Sequence, residues 1–505
     1  MARSRFFKSA VLASGNILTS CLGIATAMVL VRIFSKSDYG TYKQAILVFM
    51  FASPILIMGL PECLYYFIPR EKSRSRGILS ENLVLLTIGG LLFATFLLLG
   101  GNHLLARRFD NPDLVYPLLV IAPYGLFMIM TKSLTACLMS ADRYRQVAAY
   151  NFGSRLFMLV MVVGIVCIWP TPMYAVTGHL LGAALMLVIA MVLMFRACPN
   201  GSIRPTRAGI WEQLKYATPL GFTRVFGVIR FQLDKLLIAI FFSPERYAIY
   251  DAGAVEIPFI GGVTQSITQV LFPDLTALYR DGKLKEALSI WQRAATKAAL
   301  AIFPATVFFI AMAPETMQLL FSTEYAESTR PFRIYTLLLP AKVANYGVMF
   351  LSAGRSKLLM WVHMFGLVFN LIVSLILLKT LGFLGPAWAA VLTTYAWYAL
   401  VFILLIAKLY KINAATVLPL RQLGIAAIVS LIPAVVFFLK MRIAIPKDLA
   451  IPTPFSWSIP ISQNLISIAI FGTLYVCGVV FCYDRFGLVK MSSLVQKMRG
   501  HFFKR

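Results

Sequence analysis

Apolar stretches long enough to cross a bilayer recur from one end of this chain to the other, and they leave it few folds. About 20 apolar residues at 1.5 Å per residue span the hydrocarbon core. Within that core every backbone N–H and C=O must be paired inside the protein, so such stretches become helices. Fourteen spans lie near residues 9–34, 42–68, 82–101, 114–138, 147–169, 174–195, 212–242, 247–273, 294–321, 332–351, 358–378, 384–407, 419–439 and 463–483. Only 13% of the residues are charged, where a soluble domain carries about 25%. The fold class that follows is an all-α polytopic membrane protein.

The charge that remains is uneven. A net charge of +27 in a soluble chain would suggest nucleic acid. Here the Lys and Arg residues follow the loops, so no nucleic-acid partner is implied. With residues at span ends counted in the adjoining loop, 29 of the 47 fall in the N-terminus, the even-numbered connections and the C-terminal tail, and 12 in the odd-numbered connections. The positive-inside rule then places both termini in the cytoplasm of a multi-pass inner-membrane protein. Ala277–Thr296 and the tail from Phe486 read as basic amphipathic helices, suited to the surface of anionic membrane lipids. The Pro-rich outer connection near 440–462 is too short for an enzymatic lobe.

An internal repeat runs beneath the spans. IFSKSDYGTYKQA from Ile33 matches FFSPERYAIYDAG from Phe241, with Phe34/Phe242, Ser35/Ser243, Tyr39/Tyr247 and Tyr42/Tyr250 in register. Further on, Leu60-Pro61-Glu62 answers Phe272-Pro273-Asp274, and Ser140-Ala141-Asp142-Arg143 answers Ser352-Ala353-Gly354-Arg355. Three matches in one order imply two parallel six-helix bundles, an N-lobe over 1–205 and a C-lobe over 206–410. Residues 411–505 then hold two extra helices and the basic tail. Parallel repeats of this kind are a transporter architecture.

The seven cysteines and four histidines show no metal-ligand spacing, and no cofactor or catalytic motif is present. What remains is charge within spans, expensive in lipid and therefore suited to a water-filled interior. The seventh span, LKYATPLGFTRVFGVIRFQLDKLLIAIFF, holds Arg224, Arg230, Asp234 and Lys235. At 100° per residue the four share a sector of about 140°, and Arg230 and Asp234 stand four apart, placed to pair. Lys132, Arg155 and Lys342 complete a candidate cationic cavity for an anionic substrate. For Lys132 and Arg155 the plainer alternative is snorkelling to an interface. Glu62, Asp234, Asp251 and Glu256 are candidates for cation or proton coupling or for ion pairs. Glu62 and Asp274 each follow a proline, which also suits a helix-end cap. Asp251 and Glu256 fall about 140° apart on one helix, so at most one of them faces a cavity squarely.

These residues also carry a resemblance. RIFSKSDYGTY resembles the R-x-(L/F)-x-x-x-(D/E)-(Y/F)-G-x-Y element after the first span of polysaccharide-type flippases, which belong to the multidrug/oligosaccharidyl-lipid/polysaccharide exporter superfamily. FQLDKLLIAIFF with ERYAIYDAG is similar to its second-half counterpart. So is LSAGRSK followed by Asn370 and the Gly382…Gly385-Pro386-Ala387 turn. Ala248 and Pro386 depart from the family's usual Gly and Ala. The resemblance covers about residues 9–410 and implies a flippase for polyprenyl-pyrophosphate-linked oligosaccharide, the repeat unit of O-antigen, capsule or exopolysaccharide. Glycosyltransferases and a polysaccharide polymerase would be its partners. A cationic cavity agrees, because it offsets the desolvation of a crossing pyrophosphate. Three other readings stay open: a small-molecule or multidrug cation-coupled exporter, a membrane-embedded polymerase or ligase, and a membrane scaffold.

Overall fold

The computed structural model describes residues 2–441 and 461–485. Most of the 440–462 connection and the tail from Phe486 lie outside the described residues. In chain order the helices are α1 (Ala2–Ile33), α2 (Lys36–Ile57), α3 (Leu60–Arg70), α4 (Ser75–Phe96), α5 (Asn102–Arg108), α6 (Val115–Thr131) and α7 (Ser133–Ser140). There follow α8 (Tyr144–Ile168), α9 (Pro172–Ala197), α10 (Arg207–Phe241), α11 (Pro244–Gly253), α12 (Pro258–Arg280), α13 (Leu284–Ala311) and α14 (Ala313–Phe321). The last are α15 (Thr329–Thr336), α16 (Tyr346–Ser352), α17 (Ser356–Leu381), α18 (Gly385–Leu392), α19 (Leu400–Tyr410), α20 (Leu420–Met441) and α21 (Ile461–Arg485). Each expected span coincides with one of these helices or with a broken pair. Among the described residues eight helical stretches are long and apolar enough to cross a membrane. The stretch holding α10 is not one of them, because three charges interrupt its apolar half.

The chain forms two compact units. One comprises Met1–Ser266 with Arg355–Thr393, the other Ile267–Gly354 with Thr394–Arg505. Their limits differ from the lobes expected at 1–205 and 206–410, since α10, α11, α17 and α18 cluster with the first six spans.

Equivalent positions of the repeat adopt equivalent backbone. Ser35 caps α2 by accepting the Asp38 N–H at 3.1 Å, and Ser243 caps α11 by accepting the Arg246 N–H at 3.4 Å. Asp142 and Gly354, matched in the two Ser-Ala-x-Arg turns, both have left-handed φ, +58° and +69°. The helices after them start 212 residues apart, at Tyr144 and Ser356.

In the first unit α10 is anchored at its start by a buried carboxylate. Glu81 on α4 accepts the Thr206 N–H at 3.0 Å and its hydroxyl at 2.6 Å, and it also pairs with Arg74. One residue on, Asn82 donates to Gln213 at 2.9 Å and accepts from Ser133 at 2.6 Å, which ties α4, α7 and α10 together. Every polar group in that tie has a partner, as burial in a membrane demands.

In the second unit the expected surface helix over Ala277–Thr296 does not stand alone. It is the end of α12, a turn over 281–283 and the start of α13. The tenth span is broken between α15 and α16, with Pro340–Val343 in a 3₁₀ turn. The freed carbonyls are taken up by neighbours: Tyr395 donates to Leu337 at 2.7 Å and Trp291 to Asn345 at 3.3 Å. The added pair α20–α21 packs on α13 and α14 through Phe308, Phe471 and Tyr475. There the Tyr475 hydroxyl donates to the Ser430 carbonyl at 2.8 Å.

Candidate functional site

The first unit gathers its interior charge where the two copies of the repeat meet. The N-terminal turns of α2 and α11 pack closely enough that a Cβ added at Gly40 would run into the Pro244 carbonyl. Tyr39, Tyr42, Tyr247 and Tyr250 are all buried beside this crossing. One turn further, Asp251 of α11 holds two lysines, Lys43 of α2 at 3.0 Å and Lys235 of α10 at 2.6 Å. Lys43 and Asp251 stand 208 residues apart, the offset of the repeat. Positions that duplication made equivalent therefore face each other and carry opposite charge. Asp234 is buried alongside, accepting the Lys235 N–H at 2.8 Å and the Tyr250 hydroxyl at 3.5 Å.

The four charges of the seventh span are thus dispersed rather than pooled. Arg224 pairs at 2.8 Å with Glu62, in the first turn of α3. Asp274, the expected counterpart of Glu62, lies inside the continuous α12 and caps nothing. The Arg230 guanidinium lies over the Phe231 ring, 4.6 Å from its centre. Asp234 turns to the backbone and Tyr250 instead of the Arg230 partner expected from the i,i+4 spacing. The reason is tertiary: α11 brings a tyrosine and a second carboxylate to this side of α10.

Lys132 and Arg155 occupy a different setting. Arg155 is the twelfth of the 25 residues of α8, so its Cα lies about 16 Å from the start of the helix and about 20 Å from its end. Val162 and Val166, within about 20° of it on the helix wheel, are fully buried, yet Arg155 is exposed. Lys132 sits at the break between α6 and α7, likewise exposed between buried Thr131 and Ser133. Arg155 is within electrostatic reach of Lys132, Tyr42, Tyr124 and His179. The Tyr42 hydroxyl is 2.8 Å from His179 Nε2, and the Tyr124 ring meets the imidazole edge to face. His179 Nδ1 is buried and makes no hydrogen bond.

The remaining candidates lie where helices are interrupted. Glu256 is exposed in the irregular segment 255–257 between α11 and α12, so the angle expected between it and Asp251 on one helix does not apply. Lys342 belongs to the second unit, half-buried in the 3₁₀ turn of the broken tenth span.

Sequence reasoning missed Lys43, Tyr124 and His179. Lys43 stood close enough to a span end to be counted with the outer connection. The repeat alignment carried its signal, since it sets Lys43 opposite Asp251. His179 had a local signal too, an ionisable residue eight positions into an apolar helix.

With the fold and these side chains in place, the class is defined: the chain belongs to the polysaccharide biosynthesis protein family, whose model matches residues 7–278. A curated relative, the capsular polysaccharide biosynthesis protein CapF of Staphylococcus aureus, is 21% identical over 410 residues, covering 77% of this chain and 97% of that protein. Among solved structures the chain resembles the lipid II flippase MurJ in an inward closed conformation. The TM-score is 0.73 at 16% identity, over 94% of this chain and 99% of that one. It also resembles a multidrug resistance MATE family transporter of the MOP superfamily in an inward-facing conformation. Here the TM-score is 0.60 at 15% identity, over 80% of this chain and 99% of that one. The fold is therefore the one shared by MOP superfamily transporters, and the chain is a multi-pass membrane protein.

Proposed function

We propose that the protein is a flippase that carries a polyprenyl-pyrophosphate-linked oligosaccharide, a repeat unit of O-antigen, capsule or exopolysaccharide, from the cytoplasmic to the outer leaflet. The observation that carries this reading is the sign of the interior charge in a member of this family. The span helices of the first unit hold Lys43, Lys132, Arg155, Arg224, Arg230 and Lys235 against Glu62, Glu81, Asp234 and Asp251. That excess of cations suits a pyrophosphate and opposes the cationic substrates of a multidrug exporter. By this reading the protein works without enzymatic chemistry, through alternating access of a cationic interior to the two leaflets. Both termini lie in the cytoplasm. Glycosyltransferases supply its substrate and a polymerase consumes the product.

Coupling is assigned to the carboxylates of the α2–α10–α11 crossing. Asp234 is the candidate cation or proton carrier, because Asp251 is already committed to two lysines. In reconstituted vesicles the purified protein is expected to expose lipid-linked oligosaccharide to an outside glycosidase or lectin. Cells lacking the protein should accumulate that lipid on the cytoplasmic leaflet. Normal leaflet distribution in those cells, with the pathway running, would show the reading to be wrong.

A further inference from the structure

We infer that the second unit carries a binding site for the headgroup of an anionic phospholipid, formed where the turn between α12 and α13 lies against the turn between α19 and α20. It lies wholly in the second unit and does not depend on the flippase reading.

The two turns are fastened side by side. Gln292 of α13 donates to the carbonyls of Thr416 and Val417 at 2.8 and 2.9 Å. The Tyr279 and Tyr410 hydroxyls meet where α12 and α19 end. These bonds gather cations from distant parts of the sequence. Lys283, Lys285 and Arg293 come from the first turn and the helix it opens, and Lys408, Lys411 and Arg421 flank the second. All six are exposed, and none makes an ion pair or a side-chain hydrogen bond among the described residues. The exposed acids beside them are Asp281 and Glu286, and Asp281 is taken by Arg280 at 3.1 Å. Repulsion between gathered like charges is offset by a bound anion. Lysine offers a phosphate a point charge, and arginine a planar fork that grips two oxygens.

The length of α13 places that anion in the bilayer. Its 28 residues are about 42 Å long, against a hydrocarbon core of about 30 Å. The first two turns therefore stand among the headgroups. With Lys285 at zero on the helix wheel, Arg293 falls near 80° and Lys297 near 120°, while the buried Ala287, Trp291 and Ala298 fall between about 200° and 240°. One side of the helix packs into the unit, and the other offers cations at the depth of lipid phosphates. Arg293, about 14 Å along the helix, is at the edge of the hydrocarbon, where a lipid phosphate reaches it and a soluble acidic protein does not.

The test titrates the full-length protein, in neutral detergent at physiological ionic strength, with dioctanoyl phosphatidylglycerol and reads binding by calorimetry. Saturable binding is expected, with none for dioctanoyl phosphatidylcholine. Two triple variants, Lys283→Gln/Lys285→Gln/Arg293→Gln and Lys408→Gln/Lys411→Gln/Arg421→Gln, should each weaken binding at least about tenfold. The six positions are exposed, so both variants should elute as the wild type does. Neutralising Lys72, Arg204 and Arg207, exposed cations of the first unit, should leave the affinity unchanged, because salt screens remote charge. Gln292→Ala removes no charge, yet it should weaken binding several-fold by untying the two turns. The inference is overturned if the wild type binds no phosphatidylglycerol, if the first-unit control loses as much affinity as either triple variant, or if only one triple variant loses any. Tighter binding of a polyglutamate peptide than of phosphatidylglycerol would also overturn it and assign the surface to an acidic protein.

Discussion

The two matched turns, at the start of α2 and at the start of α11, share a serine and a pair of tyrosines and differ at most of the positions between and after them. Both begin with a serine cap, and both bury two tyrosines three residues apart. At the equivalent eighth helical position one copy has Lys43 and the other Asp251, and the two side chains meet. Two identical copies would set like charges face to face across this contact. With a lysine in one turn and an aspartate in the other, the contact is a salt bridge. The comparison teaches that a cation within a span can be committed to a carboxylate of another helix, as Lys43 and Lys235 are to Asp251.

The strongest way to break this comparison is to remove its shared carboxylate. Asp251→Ala leaves Lys43 and Lys235 facing each other near a buried site, and it should destabilise the protein by about 3–5 kcal/mol. Lys43→Ala should cost about 1 kcal/mol, because Lys235 remains on Asp251. Unfolding in mixed micelles measures both. Equal losses would mean that Asp251 does not organise the crossing.

A second, smaller effect concerns the close approach itself. Replacing a helical glycine by alanine normally stabilises a helix by about 1 kcal/mol. At Gly40 the added methyl meets the Pro244 backbone carbonyl, which cannot rotate away as a side chain would. Gly40→Ala should therefore destabilise by about 1–3 kcal/mol through overpacking. The matching position in the other copy is Ala248, already buried without strain. A stabilised Gly40→Ala variant would show that α2 and α11 do not pack this closely.

The smallest effect sharpens the likeness of the copies rather than their difference. Ser35→Ala and Ser243→Ala each remove a helix cap, at about 1 kcal/mol apiece. The same micelle unfolding should show similar losses for the two. A loss at one position only would mean that the two turns are not structural equivalents.

Much of the fold was legible because its signals are local. A run of apolar residues must become a helix in lipid, and Ser35 and Ser243 announce the helices they cap. The candidate site was only half legible. The helix wheel put Arg224, Arg230, Asp234 and Lys235 on one side of α10, but it could not show that α3 and α11 supply carboxylates to two of them. It also treated Asp251 and Glu256 as one helix, where the backbone breaks at 255–257. Lys132 and Arg155 were visible as intramembrane cations. Whether they snorkelled or lined a cavity depended on which neighbours were buried.

The sequence by itself determined that this chain is a bundle of membrane helices and that charged residues fall within its spans. Each follows from hydropathy, spacing or composition, which need no knowledge of neighbours. Only the tertiary structure decided which of those charges is neutralised. A salt bridge depends on two side chains far apart in sequence arriving within about 4 Å, and no periodicity along one helix encodes that distance. Hence Lys43 and Lys235 turned out to be held by Asp251, while Arg155, no more conspicuous in the sequence, is exposed.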